Sequence, residues 1–134
     1  MKIDVVQPEG WKKPKGYANA LVLSGHSKLV FAAGQVAWDA QEQLVGRGDF
    51  GLQFEQALRN VVTVLQAAGA KPEHIVRLTV YVTDKQMYSG NAKRIGVLWK
   101  DIVGRHYPAM TLVEVADLLE EGALLELEAT AAIP

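Results

Sequence analysis

The hydrophobic period changes near the middle of the chain, and this limits the fold more than any other feature. Between residues 50 and 68, Phe54, Ala57, Leu58, Val61, Leu65 and Ala68 recur at i, i+3, i+4, i+7, i+11 and i+14. That spacing lines one face of an α-helix. Gly69 follows, where a helix commonly ends in a left-handed cap. From Val76 to Thr83 the period becomes two. Val76, Leu78, Val80 and Val82 alternate with Arg77, Thr79, Tyr81 and Thr83, which predicts a strand with one apolar and one polar face.

The remaining segments fall around this pair. Leu21–Leu23 and Leu29–Ala33 flank Ser24-Gly25-His26-Ser27-Lys28 and read as a β-hairpin. The stretch before them, with Pro8, Pro14 and the Lys-Lys-Pro-Lys cluster, reads as extended surface coil. Gln35 to Gly51 reads as a surface loop. Thr83-Asp84-Lys85-Gln86 fits a capping box with Thr83 at the N-cap and Gln86 at N3. A second helix from about Lys85 to Val103 would bury Ile95, Leu98, Trp99 and Ile102, with Gly104 stopping it and Gly90 and Gly96 weakening it. Ala109–Ala116 and Leu124–Ile133 are further strands.

The resulting order is β-β-α-β-α-β-β, an α+β sheet with both helices on one face, in a single domain spanning 1–134. The other face would carry Arg77, Thr79, Tyr81, Glu126 and Glu128 with part of the apolar 109–116 strand. Such a mixed face suits a symmetric oligomer interface.

Composition excludes several classes. There is no cysteine, so no disulfide framework, thiolate nucleophile or Cys-based metal site arises. Fourteen Lys+Arg against fifteen Asp+Glu leave a formal charge of −1, without the basic excess of a phosphate-binding domain, so no nucleic-acid partner is expected. No apolar run approaches bilayer-spanning length, and the first residues lack a secretory pattern. The expectation is a cytoplasmic protein with no membrane partner. His26, His74 and His106 have no ligand-like spacing, and no metal is expected. Trp11, Trp38 and Trp99 are scattered and read as packing residues. Glu126 and Glu128, two apart on a strand, point to one face about 7 Å apart. They suit either acid–base work or an ordinary polar sheet face paired with Arg77.

Several motifs stand in a telling order: Gly16-Tyr17, Ala33-Gly34-Gln35, Asn60, Ala67-Ala68-Gly69, Ile75-Val76, Tyr81-Val82-Thr83-Asp84, Tyr107-Pro108-Ala109, Val113-Glu114-Val115-Ala116 and Glu126-Leu127-Glu128-Ala129. In order and spacing they resemble the Rid family, also called RidA/YjgF or L-PSP proteins, over nearly the whole chain. The resemblance implies a chorismate-mutase-like fold assembled as a homotrimer, with small-molecule clefts between subunits. It also implies hydrolysis of reactive enamines and imines to a carbonyl compound and ammonia, without a cofactor.

One position departs from the pattern. Where deaminating members carry an arginine that grips the substrate carboxylate, this chain has Met110. A thioether offers neither charge nor donor, and a charge-assisted pair contributes roughly 1.5–3 kcal/mol. Glu126 aligns with the glutamate that positions the attacking water. Tyr17 and Gly34 match cleft-lining residues, and Leu112 with Met110 would make the pocket more apolar. Arg105, near the substituted position, is a candidate for a substitute charge. The expected function is an imine or enamine deaminase of altered specificity. The alternatives are a non-catalytic trimer that binds a small metabolite in its clefts and a ribonuclease; the near-neutral charge and the lack of a histidine pair argue against the last.

Overall fold

The last alternating segment becomes an inner strand of the main sheet. A computed structural model describes residues 1–134. Its strands are β1 (Lys2–Val6), β2 (Ala20–Ser24), β3 (Lys28–Gln35), β4 (Ile75–Val82), β5 (Ala109–Glu114) and β6 (Leu125–Ile133). The helices are α1 (Phe50–Ala67), α2 (Lys85–Gly90) and α3 (Ala92–Ile102), with a short 3-10 turn at Pro72–His74. The four-stranded sheet runs β3-β6-β4-β5. β6 is antiparallel to both neighbours, while β4 and β5 are parallel. A parallel pair needs a crossover connection, and α2 and α3 supply it.

Register sorts the side chains. Leu78 lies opposite Ala129, Val80 opposite Leu127 and Val82 opposite Leu125, so these apolar residues share one face. α1 covers them with Phe54, Leu58, Val61 and Leu65, and α3 adds Ile95 and Trp99, in one cluster of 19 buried residues. Thr79 opposite Glu128 and Tyr81 opposite Glu126 fall on the other face, together with Arg77, Thr130 and Phe31. No element of the chain covers that face, and Phe31 is 75% exposed there. The polar face read from the alternation is therefore present, with α1 and α3 on the opposite side.

The ends of α1 follow from local chemistry. Asp49 accepts a hydrogen bond from the Leu52 amide at 3.0 Å and pairs with Arg94 of α3 at 3.0 Å, which joins the two helices. The Leu52 amide, with the Arg94 guanidinium beside it, holds the Asp49 carboxyl below its ordinary range. The stabilisation from this carboxylate is present above the ordinary range and lost only as pH falls through the lowered value. At the other end, Gly69 has φ +87°. Its amide donates to Gln66 and that of Ala70 to Leu65, the paired bonds of a Schellman cap.

Four expectations require correction. The N-terminal stretch is not all coil: Lys2–Val6 forms β1, antiparallel to β2 from Lys2↔Ser24 to Val6↔Ala20. The segments 21–23 and 29–33 consequently do not form a hairpin with each other. β3 instead forms its ladder with β6, running from Lys28↔Ile133 to Ala32↔Ala129 and resuming at Gln35↔Leu127. β1 and β2 make a separate two-stranded sheet. The second helix is broken at Asn91, whose φ is −108° and ψ 15° and whose side-chain amide donates to Met87 O at 2.7 Å. That bond terminates α2 just after Gly90. The N-cap of α2 is Asp84, not Thr83. The Asp84 carboxylate accepts from the Gln86 amide at 2.9 Å, while the Thr83 hydroxyl donates to Leu124 O.

Gln53 is the one fully buried polar side chain in the core. Its amide nitrogen donates to Gly46 O at 3.2 Å and Gly122 O at 3.1 Å, and its oxygen accepts from the Leu124 amide at 2.8 Å. One side chain thus ties the loop before α1 to the loop that enters β6. Gln53→Leu leaves these backbone groups without partners, and each buried orphan costs about 1–3 kcal/mol. Denaturant unfolding of this variant is expected to show a loss of about 3 kcal/mol; a loss below about 1 kcal/mol would show that water replaces the amide.

Candidate functional site

The residues singled out in the sequence come together in two groups, one on each face of the sheet. Met110 lies opposite Leu78 and Leu112 opposite Val80, so both point to the helix side from the edge strand β5. The segment Lys15-Gly16-Tyr17 runs beside them. It is held there because the Ala18 amide donates to Pro108 O at 3.0 Å and Ala18 bridges Ala109 in parallel. Gly16 sits at φ +78°, a conformation that L side chains rarely adopt. Lys15, Gly16, Tyr17, Tyr88, Met110 and Leu112 line a cavity of about 270 Å³.

A second cavity of about 410 Å³ shares Lys15, Gly16, Tyr88 and Met110 with the first and is walled by Phe54, Trp99 and Tyr107. The Trp99 and Tyr107 rings stack with centroids 6.4 Å apart, and the Trp99 indole donates to His106 O at 2.9 Å. A third cavity of about 680 Å³ adjoins these at Gly16 and is lined by Trp11, Lys13, Tyr17, Arg105 and His106 among others. Arg105 lines this third cavity and neither of the two that contain Met110. Burial holds the Tyr88 phenol above its ordinary value.

Glu126 and Gly34 meet on the uncovered face. A Cβ built on Gly34 would lie 2.8 Å from the Glu126 Cδ and 3.0 Å from its Cγ, so the Glu126 side chain lies across the space that the glycine leaves free. The β3–β6 ladder shifts register between Ala32 and Gln35, which places Gly34 at this crossing. Glu128, on the same face, accepts a hydrogen bond from the Tyr81 hydroxyl at 2.7 Å. Its partner is therefore Tyr81, and no ion pair with Arg77 forms. That hydrogen bond, then burial and the Glu128 and Glu126 charges, raise the Tyr81 pKa above its ordinary value. The structure groups no three His, Cys, Asp or Glu side chains that could hold a metal ion. No helix is long and apolar enough to cross a membrane.

Sequence reading missed Lys15 and Tyr88 as site residues. Lys15 was one of three lysines in a proline-broken cluster, and nothing in its spacing distinguishes it. Asn60, noted as a motif residue, has a structural role: its amide donates to Val36 O at 3.0 Å and Trp38 O at 2.8 Å, fixing the chain after β3.

These features define a class: a small α+β fold with helices on one sheet face, an uncovered polar face, and candidate residues split between that face and the sheet edge. Residues 12–133 match the family model described as Endoribonuclease L-PSP. The chain belongs to this family, whose members are also called Rid or YjgF proteins. A RutC family protein of Synechocystis is 31% identical over 136 residues, covering 100% of this chain and 99% of that protein. The 2-iminobutanoate/2-iminopropanoate deaminase of Salmonella typhimurium is 31% identical over 106 residues, covering 77% of this chain and 78% of the enzyme. Among solved structures, the Rid family protein YyfB from Yersinia pestis, described as of unknown function, superposes with a TM-score of 0.86 at 33% identity, covering 99% of this chain and 100% of that one.

Two expectations follow from these side chains. Gly34→Ala places a methyl group against the far end of a flexible side chain, so the Glu126 carboxylate moves and the fold persists. A crystal structure of the variant is expected to show the carboxylate displaced, with stability changed by less than about 1 kcal/mol. Tyr81 and Tyr88 both favour the neutral phenol when folded. Their stabilising effect is in place below the ordinary tyrosine range and is lost as pH rises through the raised values. Tyr81 and Tyr88 are expected to titrate above the ordinary tyrosine range in an alkaline absorbance scan, and Tyr81→Phe should remove one late transition.

Proposed function

We propose that this protein is a cofactor-independent imine or enamine deaminase of altered specificity, acting in the cytoplasm as a homotrimer with its clefts between subunits. The observation that carries the reading is Glu126, laid across Gly34 on the uncovered face. Glu128 beside it is occupied by Tyr81, whereas Glu126 accepts no side-chain hydrogen bond from its own protomer. An unengaged carboxylate is suited to orient a water molecule and take its proton.

The chemistry balances with water alone. An enamine first tautomerises to the imine. Water adds to the C=N carbon as Glu126 accepts one of its protons, and the nitrogen is protonated. Collapse of the resulting carbinolamine breaks the C–N bond and releases ammonia and the carbonyl compound. The salmonella relative named a deaminase supports the reaction class. Met110 and Leu112, both uncharged, support a change in the substrate that is accepted.

A second reading is a trimer that holds a small metabolite in the same clefts without chemistry. The apolar walls of the cavities beside Met110 favour it, because apolar lining gives affinity without supplying a proton-transfer group. Under that reading a ligand raises the melting temperature, no turnover occurs, and Glu126→Gln has little effect on affinity.

Ammonia release separates the two readings. Imines generated in solution by an amino-acid oxidase are expected to hydrolyse faster with the protein than in buffer. Glu126→Gln is expected to reduce the protein-dependent rate by at least about a hundredfold, with the melting temperature unchanged. No acceleration across aliphatic, aromatic and cyclic imines would overturn the deaminase reading.

A further inference from the structure

The chain as a whole is slightly acidic, with fifteen Asp+Glu and fourteen Lys+Arg, yet its three adjoining cavities are not. No carboxylate lines any of them, while Lys15 lines two and Lys13 and Arg105 line the third. On the uncovered face, by contrast, Arg77 and Glu128 line the same hollow. An acid-free cavity group with cations at its rim is a place for an anion.

Lys15 is the cation that bears on the sheet edge. It is the one charged residue in the cavity with Met110 and Leu112, and again the one charged residue in the cavity with Met110, Trp99 and Tyr107. Three residues further on, the Ala18–Pro108 hydrogen bond and the bridge to Ala109 hold the chain at the sheet edge. A lysine stem lies readily along apolar surface while its ammonium stays polar and available. The rest of the lining is uncharged, and Tyr17 and Tyr88 share the smaller cavity with Met110 and Leu112.

We propose that Lys15 is the anion anchor and specificity-determining residue of this cleft, and that the cleft takes monocarboxylates bearing a bulky apolar or aromatic group. The carboxylate meets the Lys15 ammonium, and the apolar group lies against Met110, Leu112 and the tyrosine rings. A compact multivalent anion such as phosphate calls for several convergent donors, and a single ammonium among apolar walls does not supply them. The identity of the anchored carboxylate as an imino acid rests on the deaminase reading; the anchor itself does not.

The test compares phenylacetate with its neutral amide, phenylacetamide, by calorimetry on the purified full-length protein. Phenylacetate is expected to bind about tenfold more tightly than the amide, the scale of one charge-assisted contact. Lys15→Gln should abolish that difference, and Lys15→Arg should keep it. In turnover of the imine derived from phenylalanine, Lys15→Gln is expected to raise KM about tenfold with kcat within about twofold, the pattern of lost uniform binding. Adding Met110→Arg to Lys15→Gln should restore the carboxylate preference. Carboxylate discrimination that depends on Lys15 without turnover of any imine keeps the anchor and overturns the deaminase reading. Turnover with KM and phenylacetate affinity unchanged in Lys15→Gln does the reverse. Failure of the wild type to bind phenylacetate, or equal binding of the acid and the amide, overturns the anchor.

Discussion

The two-sided pairing of β6 is the constraint on which the rest of the molecule depends. β6 is antiparallel to β3 on one side and to β4 on the other, so neither neighbour has its place in the sheet without it. Its alternation sends Leu125, Leu127, Ala129 and Ala131 into the core, all buried, and leaves Glu126, Glu128 and Thr130 on the uncovered face. A one-residue slip would exchange the two sets and drive two carboxylates beneath α1. Burying unpaired carboxylates costs far more than any local strain at the strand end. Gln53 sets the entry point of the strand, because its side-chain oxygen accepts from Leu124, one residue before β6 begins.

The parts of the fold legible in the sequence are those where burial enforces a period. α1 runs from Phe50 to Ala67, and β4 and β6 lie within a residue or so of the spans read from alternation. Each packs against the others with one face, so the hydrophobic pattern carries the whole instruction. β1 was illegible because it packs differently. Its residues are half-buried or exposed, and its partner β2 contributes a similarly mixed pattern, so no core enforces a period. The break at Asn91 was hidden for a related reason. The spacing of Ile95 and Trp99 continues acceptably back towards Met87 and Tyr88, which also pack on the core. The break comes with an asparagine side-chain amide donating to the backbone carbonyl of Met87, four residues earlier, a competition that hydrophobic spacing does not register.

The site shows the same division. Glu126 and Gly34 were legible as motif residues, but the reason for the glycine lies in three dimensions, where the Glu126 side chain occupies the place of its missing Cβ. Tyr17, Met110 and Leu112 do meet at one cavity. Lys15 was illegible because a lysine among lysines carries no signal until the chain is folded. The bridge of Ala18 to Ala109 then brings it beside a residue 95 positions away (110 − 15).

The placement of the two residue groups also bears on what the molecule must do to act. Met110 is on β5 and Glu126 on β6, with β4 between them. Adjacent strands are about 4.8 Å apart, so the two backbones are separated by roughly 10 Å within the sheet. Their side chains also leave opposite faces, since Met110 shares the face of Leu78 and Glu126 that of Tyr81. A small imine resting against Met110 in one protomer is therefore out of reach of the Glu126 of the same protomer. If both residues act on one substrate, the carboxylate has to come from another copy of the chain, seated with its uncovered face towards this sheet edge. The mixed character of that face, with Phe31 exposed beside Arg77 and Glu128, gives such a copy apolar area to bury and charges to orient it. Under the proposed deaminase reading, the oligomer would therefore complete the active site, because in an isolated protomer Met110 and Glu126 stay on opposite faces of the sheet.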